Sequence, residues 1–337
     1  MKASANIKKI SERKSNYNFK KESKLKKNIC IIALMIIVFS FLFLTVGINF
    51  KHLDYAMSQR IPKLIAIIIT GGCIAFSSII FQTITNNNIL TPSILGLDSL
   101  YILVQTIIVF FASVDSKFIV SKSNNFLLAV IIMIIASVLL YKILFEKSNN
   151  NIFFLLLVGV ISGTLFKSIS TFMQVVIDPN EYAALQNNLY ASFASVNTEI
   201  LLISSVIIIG IIPFIYDDIK TLDVIGLGKD QAINLGVDYD KIVKKMIVIV
   251  AILVSISTAL VGPITFLGLL VTNVTKQLFK TYKHSYLIIA SILISIVTLV
   301  GGQLLVERVF SFNTTLSVII NFIGGLYFIY LLLKESK

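Results

Sequence analysis

The chain has few of the residue types from which enzymes build active sites. Only 14% of its 337 residues are charged, and it contains two cysteines and two histidines. Cys30 and Cys73 lie in apolar segments without CxxC spacing, which predicts packing positions and neither a disulfide nor a metal site. The sequence also has no HExxH, GxSxG or paired acidic motif. These absences argue against an enzyme.

Long apolar runs dominate the sequence instead. It is 56% hydrophobic, and about ten apolar segments approach the ~20 residues needed to cross a hydrocarbon core. No polar stretch between them is long enough for a soluble domain. We therefore predict an all-α polytopic membrane protein with one transmembrane domain over residues 28–334. The predicted spans are 28–50, 61–84, 95–112, 125–145, 151–176, 199–216, 241–261, 263–279, 285–305 and 314–333.

Lysine and arginine fall mostly on one side of these spans. With the N-terminus inside, 22 of the 29 lie inside, six lie outside, and Lys167 lies within a span. Cytoplasmic loops are enriched in these residues, so we expect both termini in the cytoplasm and the chain in the cytoplasmic membrane. Residues 1–27 then form a basic cytoplasmic tail, disordered or lying on anionic lipid. The net charge of +12 resides mainly in such flanks and does not indicate nucleic acid.

Ionisable residues that could couple transport to an ion gradient are scarce within the spans. The sequence shows no Asp/Glu/His relay, and His52 and His284 lie in loops on opposite sides, so they cannot share a metal. Lys167 either points into a pathway and attracts an anionic solute or snorkels toward an interface. No Walker A motif is present, so ATP-driven transport would need an ATPase in another chain.

Two connections between spans are longer than the others. In the outer segment 177–198, a weakly amphipathic stretch is consistent with a short surface helix. In the inner segment 217–240, charged and apolar residues alternate, and Gly226, Gly228 and Gly236 predict two short helices broken by glycine turns. Such a compact amphipathic piece suits docking on another protein, and a plain solvated connector is the alternative.

Three stretches, in order along the chain, resemble motifs of the permease family of ATP-binding-cassette importers for iron-siderophores and vitamin B12. The family patterns are R-x-P-R with A-L-S-G-x-x-x-Q and N-P-L-A-x-P-x-x-L-G, then L-G-x-x-x-A-x-x-L-G-V, then G-P-I-x-F-x-G-L. The matching residues are Arg60-Ile61-Pro62-Lys63, Ala75-Phe76-Ser77-Ser78, Gln82, Asn87 and Pro92-Ser93-Ile94-Leu95-Gly96, then Leu227–Val237, then Gly262–Leu269.

The chain departs from these patterns at a few positions. Asn88 stands for a proline, Lys63 for an arginine and Thr272-Asn273 for Pro-His. Together with the segments 178–181 and 237–240, these departures resemble the branch that imports petrobactin-like and other catecholate siderophores.

The resemblance implies a type II ABC importer permease fold with ten spans in two inverted halves. It also implies partners: a second permease that makes a heterodimer or homodimer, two ATPase subunits inside, and an extracytoplasmic siderophore-binding protein outside. ATP and Mg would bind to the ATPases, so no cofactor is expected in this chain. An inverted repeat agrees with five spans per half, since the second half then enters the membrane in the opposite sense.

The resemblance also suggests roles for particular residues. Arg60, Lys63 and Arg308 would dock the binding protein, and the alternative is that they anchor span ends at the lipid headgroups. A translocation pathway would involve Lys167, Gln82, Pro92 and Gly96. The residues expected to couple to the ATPase are Ile219, Lys229, Asp230, Ala232, Leu235 and Gly236.

The function that the resemblance implies is ATP-driven import of a ferric siderophore across the cytoplasmic membrane of a bacterium. Haem or cobalamin remains an alternative cargo within the same family. Two other classes also remain open: an ion-coupled secondary carrier, and a structural or sensory membrane protein that transports nothing.

Overall fold

The chain folds into helices throughout the part that the structure describes. This computed structural model describes residues 2–47, 53–111, 122–148, 152–194 and 196–335, and no β-strand occurs among them. The helices are α1 (Lys2–Thr45), α2 (Leu53–Ile84), α3 (Asp98–Phe111), α4 (Lys122–Ser148), α5 (Ile152–Val176), α6 (Pro179–Leu189), α7 (Thr198–Tyr216), α8 (Ile219–Ile225), α9 (Lys229–Asn234), α10 (Tyr239–Val261), α11 (Leu267–Leu278), α12 (His284–Arg308) and α13 (Leu316–Glu335), with a π-turn at Ser93–Leu97 before α3.

Eight helices in the described ranges are long and apolar enough to cross a membrane: α1 from Glu22, α2, α3 with its π-turn, α4, α7, α10, α12 and α13. The other two predicted spans are also helical. Helix α5 has 25 residues, enough to cross at 1.5 Å per residue, and polar residues around Lys167 interrupt its apolar sequence. Helix α11 has only 12 residues, or about 18 Å, so it cannot cross alone.

The short α11 follows from the residues that precede it. Gly262 ends α10 with a φ of +105°, and the chain is non-helical from there to Phe266. Pro263 cannot donate a backbone hydrogen bond, so it cannot continue α10. The predicted span 263–279 is therefore a turn followed by a half-length helix.

The basic N-terminal segment differs from expectation because it is helical. Helix α1 starts at Lys2 and continues without a break into the first span, so the expected disorder of this segment is wrong. Residues 2–27 contain no glycine or proline that would end a helix. Leu25 is buried, and the Glu22 carboxylate lies 2.6 Å from Lys283 Nζ just before α12. This hydrogen bond raises the pKa of Lys283 above its usual value.

Helix α2 is the centre of the fold. It packs along α12 and α10, and its buried residues extend from Ala66 to Ile84. Small side chains permit this approach: a Cβ on Gly71 would lie 3.1 Å from Leu299 Cδ1 and 3.1 Å from Ser295 Oγ on α12. Close packing through small residues is common between membrane helices, which lack a hydrophobic driving force against lipid.

Candidate functional site

The inner segment 217–240 has the predicted form of two short helices between glycine turns. Helix α8 ends at Gly226, and α9 starts after Gly228. Gly228 and Gly236 have φ values of +101° and +83°, in the left-handed region that side-chain-bearing residues rarely adopt. The side chain of Asp238 then accepts a hydrogen bond from the Lys241 backbone N–H and caps α10.

The two short helices have opposite environments. Helix α8 is held against the protein by Leu222 and Ile225, which are 0% and 1% exposed. The second half of the segment instead has large apolar side chains on the surface of the protein. Leu227, Ile233 and Leu235 are 56%, 50% and 64% exposed. Exposed apolar side chains grouped in this way are typical of a protein-docking surface.

The predicted coupling residues therefore occupy different places. Leu235, Gly236 and Asp230 are exposed, and Ile219 is half-buried against the core. Lys229 Nζ lies 3.2 Å from Asp240 Oδ1 in an exposed ion pair. Ala232 is fully buried within this chain, so it supports α9 from beneath and does not lie on the exposed face. The six residues predicted to couple to the ATPase therefore do not share one exposed surface, and their docking role stays a prediction.

One buried side chain connects α8 to two membrane helices. The His284 ring lies at the start of α12 and is almost fully buried. Its Nδ1 is 2.7 Å from Asp223 Oδ1 on α8, and its Nε2 is 2.7 Å from Thr83 Oγ1 on α2. The sequence pattern predicts a loop at His284 and does not reveal this link, because Asp223 and Thr83 are both distant from His284 along the chain.

A second polar cluster lies at the end of α2 and joins Gln82 of the first motif to residues that follow the third motif. Lys276 Nζ donates to Gln82 Oε1 and to Asn88 Oδ1, both at 2.7 Å. Gln82 Nε2 donates to Asn88 O and to Thr272 Oγ1. Asn273 Nδ2 also donates to Asn88 O. Three of the positions at which the chain departs from the family patterns, Asn88, Thr272 and Asn273, thus meet in one hydrogen-bonded cluster.

The two outer arginines converge on the C-terminal end of α1. Arg60 Nη1 donates to the carbonyl oxygens of Phe43, Leu44 and Val46 at 2.9–3.0 Å. Arg308 Nη2 donates to the same Val46 carbonyl. A cation at a helix C-terminus is favourable because the last carbonyls lack partners and the helix dipole is negative there. Arg60 and Lys63 are half-buried, and Arg308 is exposed.

A cavity of about 460 Å³ lies between α3, α5, α6 and α13. Its lining is unusually polar for a position within membrane helices and includes Asp98, Lys167, Gln174 and Asn321. The Asp98 carboxylate accepts a 2.5 Å hydrogen bond from Thr265 Oγ1. Lys167 is exposed on α5 and borders this cavity, and its place in a translocation pathway stays a prediction. No group of three metal-ligating side chains occurs among the described residues.

The other predicted pathway residues do not line this cavity. Gln82 is buried in the inner polar cluster, and Pro92 is buried just before the π-turn. Gly96 has a φ of +95° and packs backbone to backbone on α5, where an added Cβ would lie 2.9 Å from Gly163 Cα. Gly96 therefore sets the position of α5, and with it the position of Lys167.

The fold agrees with that of a known transporter. A solved structure described as an inward-facing conformation of a metal-chelate type ABC transporter matches with a TM-score of 0.74 at 21% identity, over 92% of this chain and 99% of that one. The predicted all-α polytopic permease fold is thereby confirmed, and the chain is an integral membrane protein.

Sequence comparisons point to one family. The chain is 53% identical over 297 residues to the petrobactin import system permease protein YclO of Bacillus subtilis. The aligned residues make up 88% of this chain and 93% of that protein. It is 34% identical over 281 residues to the petrobactin import system permease protein FatC of Bacillus anthracis. This alignment covers 83% of this chain and 79% of that protein. A model of the FecCD transport family matches residues 28–334. This chain therefore belongs to the FecCD transport family.

Proposed function

We propose that this chain is a permease subunit of an ATP-driven importer that moves a ferric siderophore of the petrobactin or catecholate class into the cytoplasm. The observation that carries the proposal is the high identity to a petrobactin permease over nearly the whole length of both chains. The segment 28–334 would form the translocating domain, and both termini would lie in the cytoplasm. Haem and cobalamin are the alternative cargoes.

The cavity supports an anionic cargo. Lys167 lies on the exposed face of α5 and borders a space of about 460 Å³ with several hydrogen-bonding side chains. A cation in a low-dielectric surrounding attracts an anion more strongly than the same cation in water does. Such a cavity can guide a negatively charged chelate without binding it tightly, because a separate binding protein selects the cargo.

The exposed faces of α5 and α13 support a second permease as partner. Helix α5 exposes Leu157, Ile161, Leu165 and Phe172, and α13 exposes a similar apolar row that includes Phe322 and Leu326. Both helices border the cavity that contains Lys167. A second permease covering these faces would enclose the cavity between the two subunits. We infer a heterodimer of related permeases, with a homodimer as the alternative.

The inner segment supports ATPases as the energy source. Its exposed apolar residues Leu227, Ile233 and Leu235 would fit a groove on an ATPase, and Lys229 and Asp230 would lie at the rim. Closure of the ATPases on ATP would displace α8 and α9 and re-angle the helices that they contact. On the outer side, Arg60, Lys63 and Arg308 would pair with carboxylates of the binding protein, where rim charges steer association more than they stabilise it.

The proposal is tested by purification of the tagged chain from gently solubilised membranes. We expect an ATPase and a second permease to co-purify, and vesicles containing the complex and its binding protein to take up ferric petrobactin only with hydrolysable ATP. Parallel uptake of haem and cobalamin distinguishes the cargoes. Recovery of the chain alone in a preparation that transports along an ion gradient would refute the ATP-driven proposal.

A further inference from the structure

We propose that His284 is a positioning residue that links the ATPase side of the permease to its outer docking surface. Its imidazole joins α8 to the inner ends of both α2 and α12, so these helices follow α8 when it is displaced. This inference rests on the proposed function and assigns a residue to energy coupling that the motifs do not include.

The bonds to His284 connect three separate elements. The Asp223 carboxylate on α8 accepts from the His284 backbone N–H at 2.6 Å and lies 2.7 Å from ring Nδ1. The opposite ring nitrogen, Nε2, lies 2.7 Å from Thr83 Oγ1 near the end of α2. A single side chain therefore holds the end of α2 and the coupling helix at the first residue of α12.

The hydrogen-bonded link through His284 cannot shift freely, because buried residues pack around it. Leu222 and Ile225, on either side of Asp223, are fully buried. A Cβ on Gly226 would lie 3.6 Å from His284 Cε1 and 3.7 Å from Thr83 Cγ2, at ordinary contact distance. Buried hydrogen bonds to a charged group are stronger than exposed ones, because water competes less for the same atoms.

The two helices held by His284 also meet at the other side of the membrane. Helix α2 carries Arg60 near its outer end, and α12 ends at Arg308. Both arginines donate to the carbonyl of Val46. Between these ends the helices pack closely at Gly71. Helices α2 and α12 thus form one body, joined at its inner end through His284 and at its outer end through the end of α1.

This body joins the two surfaces at which partners would dock. Its inner end holds α8, next to the exposed apolar residues proposed to contact the ATPases. Its outer end holds the arginines proposed to contact the binding protein. A shift at either end is passed along two packed helices, over about 35 Å from Thr83 to Arg60 and from His284 to Arg308 at 1.5 Å per residue. His284 is the place where this body meets the coupling segment.

The inference is tested with His284→Ala and Asp223→Ala in the assembled complex in lipid vesicles, with Asp217→Ala as the matched control. Asp217 is exposed and lies before the start of α8, and substitutions at such surface positions usually change little. We expect basal ATPase activity to remain in each variant. Stimulation of that activity by the binding protein should fall at least ~5-fold in the first two variants, the lower limit of a typical coupling between sites. The control should match the unmodified chain.

Two further measurements separate coupling from general damage. The double variant His284→Ala with Asp223→Ala should lose no more stimulation than either single variant, because both remove the same link. Hydrogen exchange of the α8 amides, measured without ATP, should rise in the His284 and Asp223 variants and stay unchanged in Asp217→Ala. Asp223→Ala leaves the His284 ring and its contact with Thr83 in place, and it is the variant to use if His284→Ala does not insert.

The outcomes distinguish the two levels of the argument. Unchanged exchange of α8 together with normal stimulation in both variants would overturn the role of His284 while ATP-driven uptake stands. Faster exchange of α8 in a complex whose unmodified form shows no ATP-driven uptake would refute the proposed function, and the coupling role of His284 with it. Lower basal ATPase activity with undiminished fold-stimulation would also overturn the positioning role.

Discussion

Substitution of Gly96 by alanine should loosen the contact that holds α5 beside the cavity. Gly96 lies in the π-turn before α3 with φ +95° and ψ 8°. An added Cβ would lie 2.9 Å from Gly163 Cα, 3.0 Å from Gly163 N and 3.2 Å from Gly159 O. All three are backbone atoms, so no side chain can rotate away, and α5 itself has to shift.

The expected cost has two contributions. A left-handed backbone conformation costs an alanine about 1–2 kcal/mol relative to glycine. Overpacking by one methyl group against a rigid surface costs about 1–3 kcal/mol. The free energy of unfolding should therefore fall by roughly 2–5 kcal/mol if the two contributions add. At about 2 °C per kcal/mol for a chain of this size, the unfolding midpoint should fall by roughly 4–10 °C.

The assay is thermal unfolding of purified protein in detergent at one scan rate, because irreversible unfolding makes the midpoint depend on the rate. Gly210→Ala on α7 is the matched control, since a Cβ there meets nothing within 4 Å. Alanine is the better helix former by about 1 kcal/mol, so the control should unfold at the same or a higher temperature. A Gly96→Ala midpoint equal to that of the control would refute the backbone contact between the π-turn and α5.

Three further predictions address the other clusters. Lys276→Met removes the donor to the buried Gln82 amide and to the exposed Asn88 amide, and the loss at Gln82 should cost about 1–3 kcal/mol of stability in the same unfolding assay, whereas the exposed Lys280→Met should change it by less than about 0.5 kcal/mol. Arg60→Ala should lower both thermal stability and affinity for the binding protein. Arg60→Lys should restore much of the affinity but little of the stability, since an ammonium lacks the guanidinium's planar fork. Equal recovery of affinity and stability would contradict the two roles of Arg60. Lys167→Gln should slow uptake of an anionic chelate at unchanged stability, because the side chain is exposed, and normal uptake kinetics would exclude it from the pathway.

Much of the fold follows from local sequence features. Lengths of apolar runs locate the helices, and glycines at 226, 228 and 236 locate the two short inner helices. The sequence misleads where an apolar run contains a break. Residues 263–279 read as a continuous span, but Gly262 and Pro263 reshape its start so that only 12 residues become helix. Hydropathy alone does not register this, because the broken part is also apolar.

The candidate site is predictable only in part, because its polar contacts join residues distant in the sequence. Asp223 and His284 are 61 residues apart, and each alone reads as a loop residue at the inner surface. Lys276 reads as one of many inner cations, yet it donates to the buried amide of Gln82 on α2 and to the exposed amide of Asn88 in the following loop. Such pairings depend on how the helices pack, which periodicity and composition do not encode.

The contacts of Arg60 and Arg308 with the end of α1 also order the side chains that would meet carboxylates of the proposed binding protein. Among the described residues, Arg60 binds the three carbonyls through Nη1, and a guanidinium has five N–H donors in a planar fork. An unrestrained arginine loses about 2 kcal/mol of rotamer entropy when a partner fixes it. In Arg60 much of this freedom is already lost in the unbound permease. A carboxylate that approaches from outside therefore meets a preorganised fork, and a small rim contact can be specific without the entropy loss that weakens ordinary surface ion pairs.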